Sequence, residues 1–289
     1  MAVQHFFGNQ PIWVWIATAL TVFGDSPGLM VISASLLWLH GRKIGYRFIG
    51  IVIFAAAIDG ILWATFKVQR PHEAGLVLRT HLDVASFPSG HTVVSTAYFG
   101  LMALIGYIPW IVPILLVPMI MVARLYMAAH YLGDVIFAVP IGLVILYIFR
   151  RVSPGIGRWL AQRSCTQLFL IGAAMVLASL PALLITSRGE MVVGAALGMG
   201  IGAPAEWCYV RYQPKRLSNG RKVGLLAIGL IGMGILAVPL LLQVPPVVKL
   251  AATALILLWV LLVAPWLFIK LGFGEPEKKV QGSHQALEA

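Results

Sequence analysis

Residues 47–66 read RFIGIVIFAAAIDGILWATF, a run of twenty residues with one cation at its start and one acid, Asp59, inside it. A helix of about 20 apolar residues crosses the hydrocarbon core of a bilayer. A lone strand there would leave its backbone amides unpaired in lipid, so a helix is the expected conformation. Of all 289 residues, 60% are hydrophobic and only 11% are charged, compared with about 25% charged residues in soluble domains. The composition therefore predicts an all-α integral membrane protein.

Ten apolar segments follow one another along the chain, and each is expected to form a helix. Their approximate bounds are 11–23, 28–40, 47–66, 92–107, 110–124, 134–150, 166–186, 191–209, 222–243 and 247–270. The first two are short, so they predict either a tight hairpin through residues 24–28 or a first segment that lies in the interface. The expected architecture is a six-span core over residues 1–151 and a four-span C-terminal extension over residues 152–289. The extension is a candidate surface for self-association, and it is expected to end in a polar, mobile tail after Gly274.

The basic residues predict the orientation of these spans. A formal net charge of +11 would suggest nucleic acid in a soluble protein, but here the cations lie mainly in short loops without interleaved aromatic residues, so nucleic acid is not an expected partner. Placing the N-terminus in the cytoplasm puts 15 of the 21 Lys and Arg residues in inner loops, which is the bias that orients membrane proteins. The C-terminus is then cytoplasmic, in a plasma membrane or a bacterial inner membrane. The outer cations are Lys67, Arg70, Arg79, Arg124, Arg188 and Lys249.

The two cysteines, Cys165 and Cys208, are too few for a disulfide framework. Both lie near predicted cytoplasmic ends of spans, where thiols stay reduced. The sequence therefore predicts two free thiols.

Three polar stretches meet the outer side of the membrane in this topology, and several of the outer cations belong to them. The stretches are Lys67-Val68-Gln69-Arg70-Pro71, then Pro88-Ser89-Gly90-His91, and then Arg124 with His130 and Asp134. Phosphoryl transfer requires fixed donors around three charged oxygens. Arginine binds phosphate through a planar fork and lysine through a point charge, so Arg70, Arg124 and Lys67 are candidate phosphate ligands.

The remaining polar residues of these stretches suggest specific roles in such a reaction. Ser89 and Gly90 begin a predicted helix, whose N-terminal amides favour an anion, and Gly90 would let the backbone approach the phosphate closely. His130 and Asp134 are four residues apart, so on a helix the carboxylate could hold one ring nitrogen and leave the other free to attack phosphorus. His91 remains as the general acid for the leaving group.

These stretches resemble the three signature motifs of the type 2 phosphatidic acid phosphatase superfamily, which includes glucose-6-phosphatase and vanadium haloperoxidases. The second motif is intact at residues 88–91, and the third is intact as Arg-x5-His-x3-Asp from Arg124 to Asp134. The resemblance covers about residues 1–150, and it implies a six-helix core, a phosphohistidine intermediate on His130 and no metal cofactor.

Two positions depart from the pattern of that superfamily. In its first motif six residues usually separate Lys from Arg-Pro, but here Trp63 occupies the usual place of that Lys and Lys67 stands three residues before Arg70. Lys67 is expected one helical turn from Trp63, close to the same phosphate. The third motif usually has Ser before its Arg, and here Ala123 stands there.

The predicted function is a membrane phosphatase that acts on a lipid phosphate. Candidate substrates are phosphatidic acid, phosphatidylglycerol phosphate, a polyprenyl diphosphate or a long-chain-base phosphate. A lipid phosphotransferase and a phosphatase for a small polar sugar phosphate remain alternatives, because the first chemical step is the same. A transporter or scaffold with a vestigial site is a further alternative, since Asp59 and Glu206 are acids inside predicted spans. The small residues of Gly194–Gly202 predict close helix packing.

Overall fold

The structure is a computed structural model, and it describes residues 2–8, 10–71, 85–185 and 188–277. Apart from one short pair of strands, its regular elements are helices, which confirms the all-α membrane fold. Contacts divide the chain into two compact units. The first unit comprises Met1–Ala34 and Ile44–Gln162, and the second comprises Ser35–Lys43 and Arg163–Ala289.

Seven helices precede residue 162 in the described part of the chain. They are α1 (Ala2–Phe7), α2 (Pro11–Gly24), α3 (Ser26–His40), α4 (Arg42–Phe66), α5 (Gly90–Leu104), α6 (Ile111–Tyr126) and α7 (Leu132–Ala161). Among the described residues of this region, only α4 and α7 are long and apolar enough to span a membrane by themselves, while α2 and α3 form one bent pair and α6 is shorter. The expected six-span core over residues 1–151 stays a prediction. Helix α5 is buried over most of its 15 residues, so neighbouring protein surrounds it where lipid was expected.

The break between α2 and α3 bends the chain by 58° at Asp25. A tight hairpin would reverse the chain direction, so that alternative is wrong. Side-chain contacts place α1 and α2 at the end of α6 that carries Arg124: the Gln4 amide donates to the Tyr126 carbonyl at 2.8 Å, and the Tyr126 hydroxyl donates to the Gly8 carbonyl at 2.9 Å. The N-terminal segment thus lies at the end of the first unit that holds the three motifs, and the predicted placement of the N-terminus on the opposite side is wrong.

Helix α7 continues through the predicted boundary at residue 151 and ends at Ala161. Pro154 and Gly155, which suggested a linker, are both helical. Inside the first unit, α5 packs closely on α7, because a Cβ on Gly142 would lie 2.7 Å from the Thr96 Cβ and 2.8 Å from the Val93 carbonyl oxygen. This packing fixes the first turns of α5 and α7, and therefore the second and third motifs, beside each other.

The second unit contains the helices that follow. They are α8 (Cys165–Ser179), α9 (Ala182–Ile185), α10 (Gly189–Ala205), α11 (Asn219–Ala237), α12 (Pro246–Leu258) and α13 (Ala264–Lys270). Among its described residues, four stretches are long and apolar enough to cross a membrane, which confirms the four-span extension. Their bounds are Cys165–Ile185, Gly189–Val210, Asn219–Leu241 and Pro246–Lys270.

Glycines let these C-terminal helices approach closely, as the small-residue run predicted. Gly172 of α8 faces Gly200 of α10, and a Cβ on Gly198 would overlap the Ala254 carbonyl of α12. The same packing brings Cys165 and Cys208 together in a disulfide with their Cα atoms 6.0 Å apart. The prediction of two free thiols is therefore wrong, because it considered the compartment and not the contact between α8 and α10.

The acid Glu206 is paired within the second unit. Its Oε1 accepts a hydrogen bond from the Tyr212 amide at 2.8 Å, and its Oε2 lies 3.9 Å from Nη1 of Arg42. These contacts support a structural role for this carboxylate.

The segment after Gly274 is held at its start. Strand β1 (Tyr212–Pro214) pairs antiparallel with β2 (Gly274–Pro276), and Glu277 forms an ion pair with Arg42. The expected mobile tail therefore does not begin at residue 275. Residues 278–289 lie outside the described part of the chain.

Candidate active site

The turn between α6 and α7 carries the third motif. Arg124 lies on the last turn of α6, His130 lies in the turn, and Asp134 lies on the first turn of α7. Ala128 adopts a left-handed backbone with φ of 53°, which costs a non-glycine residue free energy and is frequent at functional sites. Oδ2 of Asp134 accepts the Tyr131 amide at 2.8 Å, so the start of the helix fixes this carboxylate.

Ser86 links His130 to Asp134, and sequence analysis missed it. Its hydroxyl donates to Asp134 Oδ2 at 2.5 Å, and its carbonyl oxygen lies 2.8 Å from His130 Nδ1. The His130 Nδ1 to Asp134 Oδ2 distance is longer, at 3.7 Å. The nearest acceptor for Nδ1–H is thus the Ser86 carbonyl. The predicted direct hydrogen bond from His130 to the Asp134 carboxylate is therefore corrected. The signal in the sequence was a hydroxyl residue three positions before Ser89.

Nε2 is the ring nitrogen of His130 that this arrangement leaves available, and it lies 3.4 Å from Arg70 Nη1. The Arg70 guanidinium also donates to the carbonyl oxygens of Ala129 at 2.6 Å and Ala85 at 3.2 Å. Burial, reinforced by the two neighbouring arginines and opposed by Asp134, lowers the pKa of His130 to about 4. The imidazole is therefore neutral at pH 7, as a nucleophile must be.

Arg124 is 1% exposed. Among the described residues its Nε and Nη2 have no hydrogen-bond partner, and its Nη1 lies 3.9 Å from the Met127 sulfur. A buried cation with unsatisfied N–H groups is costly, and an anion bound beside it would remove that cost. This observation supports anion binding next to His130.

The second motif packs against both neighbouring helices. The Ser89 amide donates to the Asp134 carbonyl at 3.1 Å, so it is already occupied, whereas the Ser89 hydroxyl accepts from Thr92 Oγ1 at 3.1 Å. A Cβ on Gly90 would overlap the carboxylate of Asp59. Gly90 therefore permits close contact with α4, which differs from the predicted close approach to phosphate.

Trp63 stands where the superfamily usually has its lysine, and its indole N–H donates to the Pro88 carbonyl at 2.8 Å. It holds the second motif through this bond. Helix α4 ends at Phe66, and Lys67 follows in a left-handed conformation with φ of 49° and an exposed side chain. In the described part of the chain that side chain makes no hydrogen bond or ion pair. The expectation that Lys67 continues the helix is corrected, and its role as a phosphate ligand stays a prediction.

His91 lies on the first turn of α5 and faces the break between α2 and α3. Its Nε2 lies 4.0 Å from Oδ1 of Asp25, and a Cβ on Gly24 would lie 3.0 Å from the His91 Cβ. The structure thus gathers Arg70, Ser86, Arg124, His130 and Asp134 in one buried cluster, with Ser89 joined to it by a backbone hydrogen bond. His72 and Arg79 lie outside the described residues.

Residues 45–158 match the PAP2 superfamily, and residues 191–276 match the family described as PAP2 superfamily phosphatase, transmembrane extension. Decaprenylphosphoryl-5-phosphoribose phosphatase from two strains of Mycobacterium tuberculosis, CDC 1551 / Oshkosh and ATCC 25618 / H37Rv, is 28% identical over 159 residues. That alignment covers 54% of this chain and 89% of the relative. No solved structure matches the chain significantly.

The first matched region contains all three motifs, and the second contains most of the C-terminal spans. Both matched families belong to one superfamily, and the similar proteins are phosphatases. The chain therefore belongs to the PAP2 superfamily, as a membrane phosphatase that carries the transmembrane extension of that superfamily.

Proposed function

We propose that this protein hydrolyses the phosphate monoester of a membrane lipid through a phosphohistidine intermediate on His130. The observation that carries the proposal is the pair of contacts on the His130 ring. Nδ1 is held at 2.8 Å by the Ser86 carbonyl, while Nε2 lies 3.4 Å from Arg70 Nη1. A phosphoryl group bound by Arg70 would therefore lie beside Nε2, the ring nitrogen of His130 that carries no proton.

In the first step, Nε2 of His130 attacks phosphorus and forms an N–P bond as the bond between phosphorus and the ester oxygen breaks. The protonated ring of His91 gives its proton to the departing alkoxide. The phosphorylated ring of His130 carries positive charge, and Asp134 at 3.7 Å stabilises it. Arg70 and Arg124 neutralise the charge that spreads over the phosphoryl oxygens.

In the second step, water attacks the phosphohistidine. His91 accepts the proton of that water, the N–P bond breaks, and inorganic phosphate leaves with His130 neutral again. The same residues serve both steps, and His91 acts as the acid in the first step and as the base in the second. A lipid phosphotransferase would differ only by using an alcohol in place of water.

The proposed substrate is an isoprenoid-linked phosphate. The support is the relative named decaprenylphosphoryl-5-phosphoribose phosphatase, which is 28% identical to this chain over 159 residues. The other candidates are phosphatidic acid, phosphatidylglycerol phosphate and a long-chain-base phosphate, and a free sugar phosphate is the polar alternative. The paired state of Glu206 removes one of the two acids that favoured a transporter.

Phosphate release by the purified full-length protein tests this function. The panel comprises a polyprenyl-linked phosphate, phosphatidic acid, phosphatidylglycerol phosphate, a long-chain-base phosphate and a free sugar phosphate, each with and without excess EDTA. We expect turnover of lipid substrates that His130→Ala abolishes, whereas the control His40→Ala, at an exposed histidine, retains it. Undiminished turnover by His130→Ala, or turnover of the free sugar phosphate alone, would contradict the proposal.

A further inference from the structure

We propose that the N-terminal helices complete the active site and that Asp25 is a positioning residue for His91. The inference rests on the proposed function, because it assigns a partner to the acid of that reaction. Asp25 lies outside residues 45–158, which match the superfamily. None of the three motifs contains it.

Helices α1 and α2 pack directly on the turn that carries the third motif. Ala17 of α2 shares a buried cluster with Ala123, Tyr126, Met127 and Ala129. The Thr21 hydroxyl lies 3.4 Å from the Met127 sulfur. These contacts, together with the two hydrogen bonds between the N-terminal segment and Tyr126, hold the turn immediately before His130.

The same packing brings Asp25 close to His91 of the second motif. The 58° bend between α2 and α3 places this residue at the corner, and its Oδ1 lies 4.0 Å from His91 Nε2. Gly24 makes the approach possible, since a Cβ there would already be 3.0 Å from the His91 Cβ. Asp25 also lies within electrostatic range of Arg124.

The chemistry of His91 explains what this carboxylate does. In each turnover the His91 imidazole carries a proton, gives it to the leaving alkoxide and later receives one from water. The Asp25 carboxylate, 4.0 Å away, stabilises the protonated ring and favours the ring orientation in which Nε2 faces the bend between α2 and α3. The distance exceeds a hydrogen bond, so the contribution is electrostatic.

The leaving group supplies a readout that a structural role would not change. An alkyl phosphate needs a proton on its leaving oxygen, whereas a nitro-substituted aryl phosphate leaves as a stable anion without one. We would measure kcat and KM for an alkyl and an aryl phosphate that carry the same hydrocarbon tail, using full-length protein in nanodiscs. Asp25→Asn should lower kcat for the alkyl phosphate by about tenfold and change kcat for the aryl phosphate by less than about twofold.

Two further variants make the comparison specific. Asp25→Glu keeps the charge and should recover most of the alkyl rate, and Thr18→Ala, which removes an exposed hydroxyl bonded within α2, should match wild type. Equal losses on both substrates, or an Asp25→Asn rate equal to wild type, would overturn the inference while the proposed function stands. Absence of wild-type turnover on both substrates would overturn both.

Discussion

The two nitrogens of His130 meet different surroundings, and this asymmetry defines the reaction at the scale of single residues. The Ser86 carbonyl fixes the proton on Nδ1, and Arg70 faces Nε2. Asp134 is held by the Ser86 hydroxyl and the Tyr131 amide. The proposed nucleophile is therefore oriented by these contacts before any substrate binds.

The first prediction concerns the acid limb of the pH profile. His130 attacks only when Nε2 is unprotonated, and its pKa is lowered to about 4 from the usual value of about 6.5. Activity due to this group should therefore persist as the pH falls through 6.5 and decline only as it approaches about 4. The measurement is kcat/KM against pH for two substrates whose phosphate groups have different pKa values. An acid limb that His130 determines should have the same apparent pKa with both substrates. A substrate-independent limb near pH 6.5 would contradict the buried, neutral imidazole.

The second prediction separates the two cations of the first motif. Arg70 lies in the cluster, whereas the Lys67 side chain is exposed. Arg70→Ala should lower kcat/KM about a hundredfold or more, corresponding to about 3 kcal/mol, and Arg70→Lys should recover little because an ammonium lacks the planar fork. Lys67→Ala serves as the matched control and should cost about tenfold or less. If both alanine variants are equally impaired on one lipid phosphate, Lys67 belongs in the phosphate site after all.

At the scale of elements, the junction of α4 and α5 depends on the absence of a side chain at Gly90. The Asp59 carboxylate fills the space that a Cβ there would need, and the Trp63 ring lies 3.0 Å from the same point. Trp63 also holds Pro88. The intramembrane acid Asp59 thus packs directly against Gly90 of the second motif.

The third prediction follows from this junction. Gly90→Ala should displace Asp59 and the second motif, lowering both the melting temperature and kcat. Gly133→Ala is the control, since Gly133 also lies on a first helical turn and a Cβ there meets nothing within 4 Å. The double variant Asp59→Ala/Gly90→Ala should recover part of the lost stability because it removes the overlap. Equal melting temperatures for Gly90→Ala and Gly133→Ala would show that the junction tolerates a side chain.

Local patterns predicted the polar motifs and the four C-terminal spans, because apolar runs and residue spacing are properties of neighbouring residues. Ser86 and Asp25 escaped prediction, since each acts through a contact with a residue distant along the chain or beyond a turn. The 58° bend at Asp25 and the burial of α5 depend on packing between helices. The disulfide between Cys165 and Cys208 was missed for the same reason.

At the scale of the whole molecule, two features oppose each other on orientation. In the first unit, Arg47 and Arg150 lie at the ends of α4 and α7 opposite to Arg70 and Asp134, and the positive-inside bias places the motifs outside. The disulfide between Cys165 and Cys208 in the C-terminal spans instead favours an oxidising compartment on the membrane side where these two cysteines lie. We propose the extracytoplasmic site, because 15 of the 21 cations still fall in inner loops when the N-terminal segment lies on the outer side, since that segment has no Lys or Arg before Arg42.

The fourth prediction tests this orientation on one helix. In a Cys165→Ser/Cys208→Ser background, a cysteine is placed at Gly133 or at Gly155, near the two ends of α7 and both exposed. A membrane-impermeant thiol reagent applied to intact cells should label the cysteine at residue 133 and leave the cysteine at residue 155 unlabelled until the membrane is opened. The reverse pattern would put the active site in the cytoplasm.

The most direct test of the central claim is to trap the phosphorylated enzyme. Purified protein is mixed with a lipid substrate labelled in its phosphate, quenched with alkali to preserve phosphohistidine, digested and mapped by mass spectrometry. We expect a phosphoryl group on His130 that accumulates further in His91→Ala supplied with an aryl phosphate, because that variant lacks the base for the second step. Label on another residue, or turnover by wild type with no enzyme-bound phosphate on a millisecond quench, would contradict it.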